Sequence, residues 1–350
     1  MKKINSTNFT PRFCASGYVL MTTMLFMSML SALVMGVALR VMVSRNAIRL
    51  SHMSEQARFL AYDGIEIVRA QLQYDPEAQK QKEEKKDEQK HQELANLLRY
   101  LNRWQTFTFT EKKDGFAGEL KIYITAEEGK LNLNNLYDFK RKKFQPDLKK
   151  LLARFAFEKS SVSDSDQKFV PSLKELLKKQ SYPLEDVTQL LAHEAFKPLA
   201  PHFFLHPDRS SHEKKNNKQV TISDIFTVAD TAVLEPLFFS RSVQKALDLH
   251  PLASEPAKRE EQIKKITHGL TSSIKWQESW DKVLQPIFKK NYKDLPKEYT
   301  KRFGTASRAR FISVLCYGKI GDITQCASAL LQRLEEDGKV SFIVQKIYWL

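Results

Sequence analysis

Glycine is scarce, 11 in 350 residues, and no Gly-x-x-x-x-Gly-Lys-Ser/Thr loop occurs. That shortage disfavours folds whose Gly-rich turns cradle phosphates. Cysteine is scarcer, with only Cys14, Cys316 and Cys326, too few for a disulfide-scaffold class. No Gly-x-Ser-x-Gly elbow is found, and His193-Glu194 meets Lys197 where a zinc protease would place its second His. These absences leave no recognisable catalytic constellation, and the chain is read as a non-enzyme. Three further absences are local. Proline is missing between Pro11 and Pro76, charge between Tyr18 and Leu39, and methionine after Met53.

What is present is a foldable, basic chain. Hydrophobic residues make up 42 %, and 56 Lys+Arg against 41 Asp+Glu leave a formal charge of +15. That balance excludes full disorder and suits one large domain or two small ones. It also raises nucleic acid as a competing partner. The densest basic cluster is Lys140, Arg141, Lys142 and Lys143, with Tyr137, Phe139 and Phe144 close by. No nucleic-acid-binding module surrounds it. It is read as a solvated face, and no nucleic-acid partner is expected.

The first 53 residues hold all eight methionines. A basic stretch with Lys2, Lys3 and Arg12 and no acid ends at Gly17. The 22 uncharged residues that follow, Tyr18 to Leu39, reach ~33 Å as a helix, enough to cross a hydrocarbon core. Ser31-Ala32-Leu33 and Gly36-Val37-Ala38 could imitate a signal-peptidase site. From Leu50 an apolar stripe runs through Met53, Ala57, Leu60, Ala61, Ile65, Val68 and Leu72 at helical spacing. With no proline to break it, one helix from Tyr18 to about Gln73 is expected. A lone anchor needs no second, amphipathic half, whereas a helix packed among similar helices does.

This plan resembles the type IV pilin class, in which a prepilin peptidase cuts after the leader's Gly. The resemblance implies cleavage between Gly17 and Tyr18, followed by methylation of the new N-terminus. Two departures are plain: the residue after the cut is Tyr18 instead of Phe or Met, and the fifth mature position is Thr22 instead of Glu. Lack of that Glu, and the size of the chain, resemble the K component (GspK family) among the minor pseudopilins of type II secretion. The stretch Ala57-Arg58-Phe59-Leu60-Ala61-Tyr62-Asp63-Gly64-Ile65-Glu66 looks like the "A-x-x-x-A-x-x-G-x-E" pattern of that family and of PilX. The run Gly129-Lys130-Leu131-Asn132-Leu133-Asn134-Asn135-Leu136 resembles its "G-(K/R)-(F/I/L)-N-L-N-x-L" motif.

Downstream, Thr106–Thr110 and 119–125 alternate as strands around the turn residues Asp114, Gly115 and Gly118. Ala309–Tyr317 and Val340–Trp349 read as two more. Thr324–Glu336 is read as a helix with Ala327, Leu330, Leu331 and Leu334 on one face, stopped at Gly338. Between about 140 and 300 the texture is helical. Pro171 is placed in the first turn of a helix over Ser172–Leu177, with further short helices expected over Val187, Leu190 and Leu191 after Ser181 and Pro183, and from Asp230 through Leu237. The expected fold class is α+β: a long transmembrane and amphipathic helix, then a pilin-like antiparallel sheet domain with a large all-α insertion. The boundaries follow as a leader at 1–17, transmembrane and stalk helix at 18–75, charged linker or helix at 76–103, sheet domain at 104–138 and 305–350, and insertion at 139–304.

Asn132, Asn134 and Asn135 are read as turn formers bonding local backbone, with partner contact as the alternative. Leader removal would leave Cys316 and Cys326, either bridged in an oxidising compartment or as two free buried thiols. The resemblance implies calcium in the α/β portion, with ligands that cannot be matched to residues of this sequence. It also implies other minor pseudopilins as partners, through the N-terminal helix and the α/β domain, together with the prepilin peptidase and the inner membrane. The function expected is that of a minor pseudopilin at the pseudopilus tip. The alternative is a PilX-like minor pilin or a DNA-uptake pseudopilin, in which the charge would act.

Overall fold

A computed structural model describes residues 15–73, 86–146, 148–152, 166–180, 182–194, 196–197, 203–207, 221–231, 233–270, 274–336 and 339–350. The leader up to Cys14, the charged run from Pro76 to Lys85 and the expected helix stop at Gly338 lie outside them. The chain divides into two compact units, Met1–Gln56 and Ala57–Leu350.

Helix α1 spans Ala15–Gln73 without interruption, as the lack of proline predicts. Within the first unit its side chains are exposed, including Leu20, Leu25, Phe26, Leu33 and six methionines from Met21 to Met42. The most apolar window has a mean hydropathy of 2.0 and no buried residue. It satisfies the length and composition test for a membrane span.

In the second unit, α1 buries Ala57, Leu60, Ala61, Ile65 and Val68. Helix α2 (Lys86–Tyr100) buries Leu94, Leu97 and Leu98. The buried Arg259 donates to Leu98 O at 2.6 Å and Leu101 O at 2.7 Å, satisfying carbonyls at the C-terminal end of α2. Beside it, Arg99 binds Glu260 through two bonds of 2.9 and 3.1 Å.

The sheet is an antiparallel meander of β1 (Trp104–Phe109), β2 (Gly118–Ala126), β3 (Phe311–Ile320), β4 (Ile323–Glu336) and β5 (Lys339–Trp349), paired in that order. Everything between β2 and β3 is the insertion. One face of the sheet packs on α1 through Leu120, Ile122, Ile124, Ile312, Val314 and Cys316. The other face carries Tyr123, Leu315, Tyr317 and Cys326 beneath Phe204 and Leu205 of the insertion.

The expected helix at Thr324–Glu336 is instead strand β4. Its apolar spacing fits a helix by coincidence. Both sheet faces are covered, so Cys326, Ala327, Ala329 and Leu331 are all buried and the usual polar alternation is lost. The irregularity in its pairing with β5, between Leu330 and Leu331, has its extra residue, Gln345, on β5 and leaves the β4 pattern itself unbroken. The insertion is mainly helical, but it is not all-α. Leu131–Asn132 pairs in parallel with Phe226–Thr227, and Tyr137–Asp138 pairs with Lys143–Phe144. Pro171 lies inside the helix Asp166–Lys179 and not in its first turn. The expected helix from Asp230 through Leu237 is not seen among the described residues there: Leu234 makes a bridge to Phe303 and a short 3-10 turn follows at Pro236–Phe238. A true helix follows only at Arg241–Ala246, where the Ser240 hydroxyl accepts from Val243 N–H at 3.3 Å.

Candidate functional site

The pattern Ala57, Ala61, Gly64 is a close-packing device. A Cβ on Gly64 would lie 2.8 Å from Cys316 Sγ and 3.0 Å from Leu120 Cδ1. On the opposing strand, a Cβ on Gly318 would lie 2.2 Å from Ala57 O and 2.8 Å from Ala61 N. Small residues on both surfaces therefore let the α1 backbone approach the sheet backbone. Burial of Leu60, Ile65 and Val68 around that contact contributes about 1.5–3 kcal/mol per side chain. Glu66, the last residue of the pattern, pairs with Arg69 at 2.8 Å, and Arg69 Nε donates to Phe342 O at 3.1 Å. The helix is thereby tied to the last strand. Near the chain end, the Arg58 guanidinium sits 4.4 Å over the Trp349 ring.

The Asn motif follows β2 and clamps the insertion. Asn132 Oδ1 accepts from Asn134 N–H at 2.9 Å and caps the short helix Leu133–Leu136, the local bond expected of it. Its amide Nδ2 instead reaches across to Ala229 O at 2.8 Å and Thr231 O at 2.9 Å. Asn135 Nδ2 also donates to Thr231 O, at 2.7 Å. Asn134 exchanges two bonds with the Leu184 backbone, each of 2.8 Å. A carboxamide carries both donors and an acceptor on one short stem, so it can hold two backbone segments at once. Gly129 sets the floor of the clamp. A Cβ there would fall 1.7 Å from Phe238 O, and Gly129 O accepts from Ser240 N–H at 3.1 Å.

Around Gly129 lies a group of buried charges that the sequence did not single out. Lys130 and Glu127 form a buried ion pair, and Ser313 Oγ donates to Glu127 at 2.5 Å. Glu128 Oε1 accepts from Arg310 N–H at 2.6 Å and Phe311 N–H at 3.0 Å. Its backbone O accepts from Glu235 N–H at 2.8 Å, and Glu235 Oε2 accepts from Ala306 N–H at 3.0 Å. Two buried carboxylates thus hold the strand that brings the insertion back to the sheet. Burial pushes both carboxyls up from 4.5 to about 7, and the neighbouring Glu127 and Glu128 charges add to the rise at Glu128 and Glu235 respectively. Burial also raises Asp224, against the pull of Lys130.

Cys316 and Cys326 are free, buried thiols. Register explains why they do not meet. Cys316 faces Ala327 and Cys326 faces Tyr317, so the two side chains project from opposite faces of the sheet. Burial raises both thiols, Cys326 to about 12, which keeps them protonated and unreactive. Gly17, Tyr18 and Thr22 lie in α1 of the first unit. Thr22 Oγ1 has both Tyr18 O at 3.0 Å and Val19 O at 2.9 Å within reach, so its hydroxyl is satisfied inside its own helix. The basic residues Lys140–Lys143 form an exposed turn, while Tyr137 is buried with the rings of Phe139 and Phe144 each 5.0 Å away. The aromatics beside the basic patch are occupied with one another. No group of three or more His, Cys, Asp or Glu side chains among the described residues converges as a metal site. No residue is therefore assigned to the calcium that the resemblance implies.

No protein-family model matches this chain, and no curated protein matches it. Among solved structures, it is similar to a chain in the crystal structure of the GspK–GspI–GspJ complex from the type 2 secretion system of enterotoxigenic Escherichia coli. Identity is 10 %, the alignment covers 75 % of this chain and 92 % of that one, and the TM-score is 0.37. Similarity at that level carries neither fold nor function across.

Proposed function

We propose that this chain is a minor pseudopilin of the K type, serving a type II secretion system as a structural subunit and not as an enzyme. The observation that carries the reading is α1 itself. It is one uninterrupted helix, Ala15–Gln73, apolar and exposed over its first part and packed through Ala57, Ala61 and Gly64 against an antiparallel sheet. Two further features support it: the leader ending at Gly17, and an Asn motif that holds a large insertion onto the sheet domain.

In this reading, cleavage after Gly17 frees Tyr18, and the apolar half of α1 anchors the subunit in the inner membrane. The sheet domain then stands in the periplasm, where other minor pseudopilins pack along the helix and the sheet. The insertion would block a further subunit from stacking above, which favours the tip and a role in starting assembly. Thr22 fits that place. A buried acid in a bilayer is worthwhile mainly when a partner's charged N-terminus neutralises it, and the Thr22 hydroxyl needs no such partner.

Co-expression with the other minor pseudopilins of the same system provides the test. The full chain, extracted in detergent, should co-purify with them, and a variant carrying Gly318→Val at the helix–sheet contact should lose them. Recovery of the wild-type chain alone would refute the assignment. Salt-sensitive binding of duplex DNA by the full chain would favour the uptake alternative.

A further inference from the structure

Under the insertion, on the sheet face away from α1, lies a cavity of about 400 Å³. That volume is within the range of small-molecule sites. Its walls are mostly apolar, with Phe203, Phe204, Phe226, Leu315 and Leu330 among them. Its charge runs against the rest of the chain. Among the described residues, Glu127, Glu185, Asp186, Asp224 and Asp230 line it against Lys130 and Lys346, in a protein with 56 basic and 41 acidic residues.

Most of these groups are occupied. Lys130 is paired with Glu127, Asp186 Oδ1 accepts from Thr188 N–H at 2.7 Å, and Lys346 donates to Glu185 O at 2.8 Å. Asp224 is different. Its Oδ2 accepts from Ser242 N–H at 2.7 Å, but Oδ1 has no partner among the described residues, although Asp224 is only 4 % exposed. The Tyr123 hydroxyl, on a residue 3 % exposed, is likewise without a partner among them. Both residues line the same cavity. An unpaired buried acceptor costs free energy unless a donor reaches it.

We propose that this cavity binds a small organic cation, a protonated amine on an apolar body. The ammonium lies against Asp224 and Tyr123, and the body lies against Phe204, Phe226 and Leu315. An ammonium supplies three donors and no acceptor, which matches an unpaired carboxylate oxygen and a hydroxyl on the wall of one cavity. The site is independent of the secretion role, because nothing in its chemistry involves α1.

Titration calorimetry on the full chain in detergent, with 2-phenylethylamine as the probe, tests this directly. The neutral isostere 2-phenylethanol and the anion 3-phenylpropanoate serve as comparisons. The amine should bind saturably and roughly tenfold or more tightly than the alcohol, and the anion should not bind. Asp224→Asn should reduce the amine to the affinity of the alcohol. Ser328→Trp, which fills the cavity from β4, should abolish binding while the melting transition is retained. If Asp224→Asn fails to fold, the amine-to-alcohol ratio and Ser328→Trp decide. Equal affinity for amine and alcohol, undetectable amine binding at millimolar concentration, or amine binding that survives Ser328→Trp would each overturn the proposal.

Discussion

Glu128 offers a test in which sign and size both follow from the structure. Its carboxyl is buried beside Gly129, and burial raises it from 4.5 to about 7. A raised acid binds its proton more tightly in the folded state than in the unfolded chain. Its contribution is therefore fully present below pH 4.5 and is lost as pH rises through about 7. At 1.36 kcal/mol per pH unit, the rise from 4.5 to about 7 is worth about 3.4 kcal/mol in all, of which about 2.5 kcal/mol is lost between pH 5 and pH 8. Glu235, raised to about 7 by the same cause, steepens the fall within the same window. Glu128→Gln holds the side chain neutral at every pH. Urea unfolding of the full chain, followed by the fluorescence of its four tryptophans, measures the effect. Wild type should lose stability from pH 5 to pH 8, and the variant should lose about 2.5 kcal/mol less. A wild type equally stable at both pH values, or a variant with an undiminished fall, would refute the placement of this carboxyl.

Other substitutions address the remaining contacts. Gly318→Ala sets a methyl 2.2 Å from Ala57 O, so α1 must lift from the sheet; the same urea assay should show a loss of about 1–3 kcal/mol, and a loss under 0.5 kcal/mol would contradict the close contact. Asn132→Ala removes a helix cap and the donor to the Ala229 carbonyl, while Thr231 O keeps Asn135, at about 1.5–4 kcal/mol in total; limited proteolysis should then cut first inside the insertion. Cys316 and Cys326 should react with a maleimide only after denaturation, and reductant should leave the intact mass unchanged; a gain of two mass units on reduction would show a bridge instead.

Much of this architecture can be read from the sequence, because helices and strands write their periods locally. The uncharged span and the absence of proline give α1 almost to the residue, and Ala57, Leu60, Ala61, Ile65 and Val68 are the buried part of its stripe. Leu50, in the same stripe, is 55 % exposed, since periodicity marks a face but not how far along the helix that face is covered. β4 reads as a helix in sequence because a strand covered on both faces loses its alternation, and small residues such as Ala327 and Ala329 suit either state. The Asn motif gave its local half to inspection. Asn132 caps the next turn as expected, while its amide bonds to Ala229 and Thr231 span a separation that no local pattern encodes. Glu127, Glu128 and Lys130 look like surface charges in sequence. Only the return of Arg310 and Phe311 to the same place makes them interior. Sequence leaves the two cysteines pairable, and only the strand register puts them on opposite faces.

The central claim is that α1 is an assembly helix released by leader cleavage, and the mature N-terminus tests it most directly. The chain should be purified from membranes of a host carrying a prepilin peptidase, and its first residue determined by intact and peptide mass. The account predicts a chain beginning at N-methylated Tyr18, with Lys2, Lys3 and Arg12 gone and the formal charge reduced from +15 to +12. A chain that still begins at Met1, or one cut beyond Ala38, would contradict it.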